Sequence, residues 1–327
     1  MKFQNFENHM LTDCVNLWNE VVNAKKFYKP FTEEEFVIKF LKNENFRPEG
    51  FFVAYDGKKL VGISLGVVKK ADLENENAPG YVTFVLVKET YRRKGLGTQL
   101  VEKVEGFFKE LGRKSSRMVF LGAINLEWYV PDTNMHNHPG APAVPYNSLE
   151  YFLYLSCGYN VEGQVDAFHL DLTKFEMSEK NKAVIERNEK QGIGIEIYDP
   201  KKHHSLEEFC VEVNNPPFAN AIRNNQNAQN PRPLLIAHDN GKVIAFTGPV
   251  WNEGNNRASL AGIAVLESYN GKGIGKTLFS VLCAKSKENG SEFMTFFTGL
   301  NNIARNIYLS AGFKIVQSFA IMKKDLK

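Results

Sequence analysis

The feature that most constrains this 327-residue chain is that it repeats itself on the scale of a domain. Residues 85–97 read VLVKETYRRKGLG, and residues 263–275 read IAVLESYNGKGIG. Val87, Glu89, Tyr91, Lys94, Gly95 and Gly97 align with Val265, Glu267, Tyr269, Lys272, Gly273 and Gly275, each pair 178 residues apart. A second block recurs downstream. NSLEYFLYLSCGY from Asn147 matches NNIARNIYLSAGF from Asn301, now 154 residues apart. The offset falls by 24, so the first half carries that much extra chain between its blocks. Residues 122–146, rich in Pro, Asn and aromatics and without a helical period, supply it. Repeats of this length are domains, not solenoid units.

Each half reads the same way around its blocks. FFVAYD (51–56) and KLVGISLGVV (59–68) flank Gly57-Lys58, as two apolar strands flank a hairpin turn. LLIAHD and KVIAFTGPV flank Asn240-Gly241, a strong tight-turn pair. Apolar runs at 82–87 and 258–265 each lead into a glycine loop, then into helical patterns at about 97–111 and 275–287. In the first helix Leu100, Val101, Val104, Phe107 and Phe108 recur at helical spacing. Short strands follow at 117–121 and 293–298. The expected fold class is α+β: two tandem domains, each a mixed, mostly antiparallel sheet flanked by helices. The boundaries fall at 1–174 for the first domain, with 122–146 as its insertion, and at 194–327 for the second. Residues 175–193, charged and helix-prone with little apolar face, read as a linker helix.

Composition narrows the classes further. A net charge of +3 leaves no dense basic stripe for nucleic acid, so the short run Arg92-Arg93-Lys94 needs a local explanation. No apolar run is long enough to span a bilayer, and the N-terminal residues lack the apolar core of a signal peptide. Four cysteines scattered without CxxC spacing suit a reduced, cytoplasmic protein. His136 and His138 form a close pair with no third ligand nearby in sequence, so no metal is expected.

A strand, a short glycine-rich loop and a helix make an anion cradle. The first N–H groups of the helix have no partner within it, and its dipole favours negative charge there. Three sequence patterns use such a loop. The dinucleotide fingerprint needs G-x-G-x-x-G, which neither copy supplies. A P-loop needs G-x-x-x-x-G-K-[ST]; the second copy has Gly275-Lys276-Thr277 but Asn270 where the first glycine belongs, and the first copy fails outright.

The third pattern fits. Val87, Tyr91, Arg92, Gly95 and Gly97 spell V-x-x-x-Y-[RQ]-x-x-G-x-G, which resembles the signature of the GCN5-related N-acetyltransferase (GNAT) superfamily. The second copy departs from it only at Asn270, where Arg or Gln is usual. Family members also carry N-x-x-A-x-x-[LI]-Y-x-x-x-G-F. The second half has it complete in Asn301, Ala304, Ile307, Tyr308, Gly312 and Phe313, whereas the first half has Glu150 in the alanine place.

The resemblance implies acetyl-CoA as acyl donor and a small-molecule or peptide amine as acceptor, with no metal, nucleic acid or membrane partner. It places the pyrophosphate on Arg92, Arg93, Lys94, Gly95, Leu96, Gly97 and Thr98, and on Asn270, Gly271, Lys272, Gly273, Ile274, Gly275 and Lys276. The backbone at Val87 and Val265 would hold the acyl carbonyl. Asn147 and Asn301 would bond the pantetheine arm or cap their helices. Tyr154 and Tyr308 would give a proton to the departing thiolate, and a phenol near its ordinary pKa is a ready donor. The candidates for a base are Glu127, Asp132, His136 and His138 of the insertion. The reading has both loops holding CoA and the chemistry in the second half, whose Asn/Tyr block is complete. The competing class is a non-catalytic acyl-CoA-binding or sensing protein on the same fold.

Overall fold

The computed structural model describes residues 1–119 and 123–327. The chain forms two compact units, Met1–Ala167 with Val316–Lys327, and Phe168–Ile315. The units are thus interleaved in sequence, whereas the expected split at 174 and 194 is contiguous.

In chain order the first stretch gives β1 (Lys2–Asn5), α1 (Leu11–Lys25), α2 (Glu33–Phe36), β2 (Phe51–Asp56), β3 (Lys59–Val67), β4 (Gly80–Val87), α3 (Leu96–Glu110) and β5 (Ser115–Met118). The short strands β6 (Trp128–Tyr129), β7 (Asn137–His138) and β8 (Val144–Pro145) precede α4 (Leu149–Ser156) and β9 (Asn160–Asp171). The rest supplies α5 (Glu179–Glu189), β10 (Ile193–Ile197), α6 (Leu206–Glu212), α7 (Pro216–Gln226), β11 (Leu235–Asp239) and β12 (Lys242–Thr247). It ends with β13 (Ile263–Val265), α8 (Ile274–Glu288), β14 (Phe293–Gly299), α9 (Arg305–Ser310) and β15 (Lys314–Asp325).

In the first unit β1–β4 run antiparallel in sequence order, and β4 then meets β5 in parallel. The chain's last strand completes this sheet, with Met322 opposite Met118 and Asp325 opposite Ser115. A buried Glu105 locks it there, accepting from Lys324 Nζ at 2.8 and 2.9 Å. The core on the α1–α2 side is aromatic: Trp18 packs on Phe31, Phe40 and Phe84 and donates its indole N–H to the Lys29 carbonyl. On α3 the five apolar residues predicted at helical spacing are all buried.

The second unit repeats the plan with β10–β13 in antiparallel order. It takes the end of β9, where Phe168 stacks on Phe296 and the Leu172 N–H donates to the Glu292 carbonyl. Helix α5, expected as a linker, belongs to this unit and packs on α8, its Asn181 donating to Ser280 Oγ.

Three expectations shift. The apolar run 258–265 forms a strand only from Ile263, because Gly262 sits at φ 135° against the Phe218 ring and breaks the extended run. The strand expected at 117–121 appears as Ser115–Met118, and Phe120, Leu121 and Gly122 lie outside the described residues. The insertion, for which no element was expected, carries short strands: β6 and β7 form a hairpin, β8 pairs with β15, and Trp128, Val130, Ala141 and Val144 are buried. No described helix is long and apolar enough to cross a membrane.

Candidate functional site

Among the described residues β4 and β5 pair only at Gly80–Ser116 and Tyr81–Arg117. Beyond Tyr81, β4 keeps β3 on one edge and opens on the other. The second unit parts at the matching place: Arg257 bridges Phe293, and β13 then pairs with β12 alone among the described strands. A parallel sheet normally continues its ladder, so a gap on a buried strand edge is a place where backbone N–H groups can meet a ligand.

The glycine loops stand at the mouths of these gaps. Gly95 and Gly273 are the residues before α3 and α8, both at φ 80°, which only glycine adopts without strain. Neither helix has a side-chain cap or an acidic residue in its first turn, so both present bare N–H groups to an anion. Gly97 and Gly275 serve a different purpose. Their backbones are helical, but a Cβ would come within 3.2 Å of Leu153 or 3.1 Å of Ile307, so their bareness lets α4 and α9 approach. The loop tyrosines anchor the turns: Tyr91 donates to Asp56 and Tyr269 to Asp239, each at 2.8 Å. Both aspartates end the repeated hairpin strands FFVAYD and LLIAHD, so the sequence carries the signal for this anchor in the shared final Asp.

In the first unit the gap opens into a cleft of about 540 Å³. Its wall includes the β4 edge at Val85–Val87, then Arg92, Arg93, Gly95, Gly97 and Thr98, with Leu149, Phe152 and Leu153 of α4 opposite. The basic run thereby finds its local explanation in Arg92 and Arg93. Lys94 turns away, donating to the Thr90 carbonyl with its ammonium over the Tyr91 ring, and Lys272 lies likewise over Tyr269. Leu96 and Ile274 bury their side chains, leaving only their backbones for a ligand. Lys276 is exposed.

Tyr154 and Tyr308 are both buried, and burial pushes the Tyr308 phenol up to about 12 and that of Tyr154 further still. This corrects the expectation of an ordinary phenol: each hydroxyl holds its proton more tightly. Tyr308 packs among Phe296, Phe279 and Phe168, with ring centres 4.6, 5.0 and 5.6 Å away. Tyr154 lines a small chamber of about 20 Å³ behind the cleft, with Trp18, Tyr28, Thr83 and Glu150. Asn147 is exposed at φ 61° and does not cap α4; Ser148 does, accepting from the Tyr151 N–H. Asn301 is also exposed, and it is Asn302 that accepts from the Ala304 N–H before α9.

The insertion's base candidates do not line the cleft among its described residues. Glu127 pairs with Lys29 at 3.6 Å, and His138 Nδ1 lies 2.8 Å from the Gly140 carbonyl. The cleft's own carboxylate is Glu150, paired with Lys25 Nζ at 2.6 Å. Its signal in the sequence was the departure from alanine in the N-x-x-A position.

Outside the clefts, Glu196 receives His203 Nε2 and His238 Nε2 on one oxygen, at 3.0 and 3.1 Å. The Nδ1 atoms accept backbone N–H groups of Asp199 and Gly241. Both imidazoles are therefore held with the proton on Nε2, pointing at the carboxylate. The thiols are unpaired; Cys14, Cys210 and Cys283 are buried, and burial pushes the Cys14 thiol up to about 12.

The profile of the acetyltransferase (GNAT) family matches residues 18–126 and 200–313, one region in each half and well over half of the chain. The chain belongs to this family. As a GNAT protein it shares its fold with solved acetyltransferases of the family, one of them a tandem GNAT protein. A GCN5-related N-acetyltransferase from Sphaerobacter thermophilus aligns with a TM-score of 0.60 over 100% of this chain and 96% of its own, at 13% identity. A tandem GNAT protein from the clavulanic acid biosynthesis pathway aligns at 0.55, covering 100% and 98%, with 12% identity. The GCN5-related glucosamine N-acetyltransferase region of a fungal multi-domain GH3 β-N-acetylglucosaminidase aligns at 0.61 with 18% identity. The chain covers 99% of itself there but spans only 38% of that larger protein. These likenesses show the fold. No curated protein matches the chain.

Proposed function

We propose that the protein transfers an acetyl group from acetyl-CoA to a primary amine, and that the first unit's cleft is where the donor binds. The observation that carries this reading is the parting of β4 from β5 directly beside the bare N-terminus of α3. It opens a channel whose phosphate end is basic and whose arm is apolar. The pyrophosphate meets the N–H groups of Gly95–Thr98 with Arg92 and Arg93 beside them. The pantetheine arm lies between the β4 edge and Leu149, Phe152 and Leu153, and the thioester carbonyl takes a backbone N–H near Val87. The amine attacks the carbonyl, and the departing CoA sulfur takes its proton from Tyr154. A phenol whose pKa is raised by burial still lies within reach of an expelled thiolate for as long as the thiolate is equally dry.

The second loop keeps the same cradle and is proposed as a second CoA seat. The sequence placed the chemistry there; the developed cleft and its carboxylate now favour the first unit. A turnover screen of amines with acetyl-CoA, following free thiol, tests the activity. Thiol release that depends on both acetyl-CoA and amine supports it; CoA binding without turnover on any amine would leave a binding protein instead.

A further inference from the structure

Helix α1 ends at Lys25, and its ammonium reaches across the first unit's cleft to Glu150 of α4. Both side chains line the wall that contains Val85–Val87, and their exposures are 28% and 17%. Glu150 also lines the chamber behind β4, whose room of about 20 Å³ suits one small group such as a water or an ammonium. Thr83 Oγ1, on the chamber wall, is buried without a hydrogen-bond partner. The equivalent of Glu150 in the second unit is Ala304, so the carboxylate is particular to the first.

A half-buried carboxylate beside the acyl end of the cleft, already holding a primary ammonium, is a seat for that chemical group. We infer that Glu150 is the acceptor's ammonium-binding group, that the acceptor class is an unhindered primary alkyl amine, and that Lys25 rests in the seat until an acceptor displaces it. The inference deepens the reading of the cleft as an acetyl-CoA site and rests on it. In the transfer, one proton passes from the ammonium to Glu150 and then to solvent. The nitrogen forms its bond to the acyl carbon, the carbon–sulfur bond breaks, Tyr154 gives its proton to the CoA sulfur, and the second N–H proton restores the Tyr154 phenol. Lys25 has the same chemistry as the acceptor, so it is itself acetylated when no acceptor is present.

The test uses the full chain with acetyl-CoA and n-butylamine as probe. Lys25→Met empties the seat and should raise kcat/KM for n-butylamine by about tenfold or more, as removal of a competing occupant does. Lys25→Met with Glu150→Gln should lose that gain while still binding CoA in the first unit. Mass spectrometry of the wild type without amine should find acetyl on Lys25 above the exposed Lys182, and Glu150→Gln should remove the excess. No gain in Lys25→Met, or a gain that survives Glu150→Gln, overturns the inference while CoA titration keeps the cleft reading intact. A wild type whose first unit binds no CoA overturns both.

Discussion

The two glycine loops follow one backbone path with different side chains. In the first, Arg93 and Gly95 take positive φ, at 61° and 80°; in the second, Gly271 and Gly273 do, both at 80°. Arg92 braces the first loop by donating from Nε to the Val87 carbonyl at 3.1 Å. Asn270, in the matching place, is too short for that task. Helix α5 braces the second loop instead: Arg187 Nη2 and Asn188 Nδ2 both donate to the Lys272 carbonyl, at 2.8 and 3.3 Å, and Val184 stands beside Gly273. A departure that looks like a weakened motif is thus met from an element 85 residues upstream. The lesson is that the loop's conformation is the conserved quantity between the two units, and the residue that secures it is free to change.

The largest expected effect concerns the tyrosines. Phenylalanine keeps the ring and its packing, so Tyr154→Phe should leave CoA affinity in place and lower kcat by about 10²–10⁴-fold, the range for a positioned general acid. Tyr308→Phe should cost only a few-fold. The reverse order in steady-state rates would move the chemistry to the second unit. The brace comes next. Arg187→Ala should weaken CoA at the second loop by about tenfold, the worth of one charge-assisted hydrogen bond, and leave the first loop untouched. Equal weakening at both sites, read by calorimetry, would deny the brace a local role.

The smallest effect is one of pH. Burial raises the Tyr308 phenol from 10.0 to about 12, so between those values the unfolded chain gives up this proton and the folded chain keeps it. Stability from this group is fully present below pH 10 and falls as pH rises toward 12, by on the order of 2 kcal/mol. Urea titrations of wild type and Tyr308→Phe at pH 9 and pH 11 should differ in that slope; parallel curves would mean that the hydroxyl is already solvated.

The duplicated plan was legible because it rests on local signals: glycines that set φ, alternating strands and one amphipathic helix. What escaped the sequence depends on distant partners. Nothing in KKDLK says that the last strand leaves its own half to pair with Ser115–Met118. Glu150 reads as a blemish in an alanine position until Lys25 is found opposite it. Asn147 reads as a cap because the residue type favours caps, and its positive φ gives the role to Ser148. The phenols read as ordinary because burial is a property of the fold.

The central claim is that the cleft beside Gly95 holds acetyl-CoA, and thermal melting with ligand tests it most directly. Acetyl-CoA in excess should raise the Tm of the wild type, and ATP with magnesium should not. Gly95→Val puts a β-branched residue at φ 80°, a strain of about 1–3 kcal/mol, and sets its Cβ on the open side of the loop. It should therefore lose the first site while Gly273→Val loses only the second, with stoichiometry by calorimetry falling from two to one in each. A Tm raised by ATP and magnesium but not by acetyl-CoA, or a Gly95→Val protein that binds acetyl-CoA as the wild type does, would contradict the account.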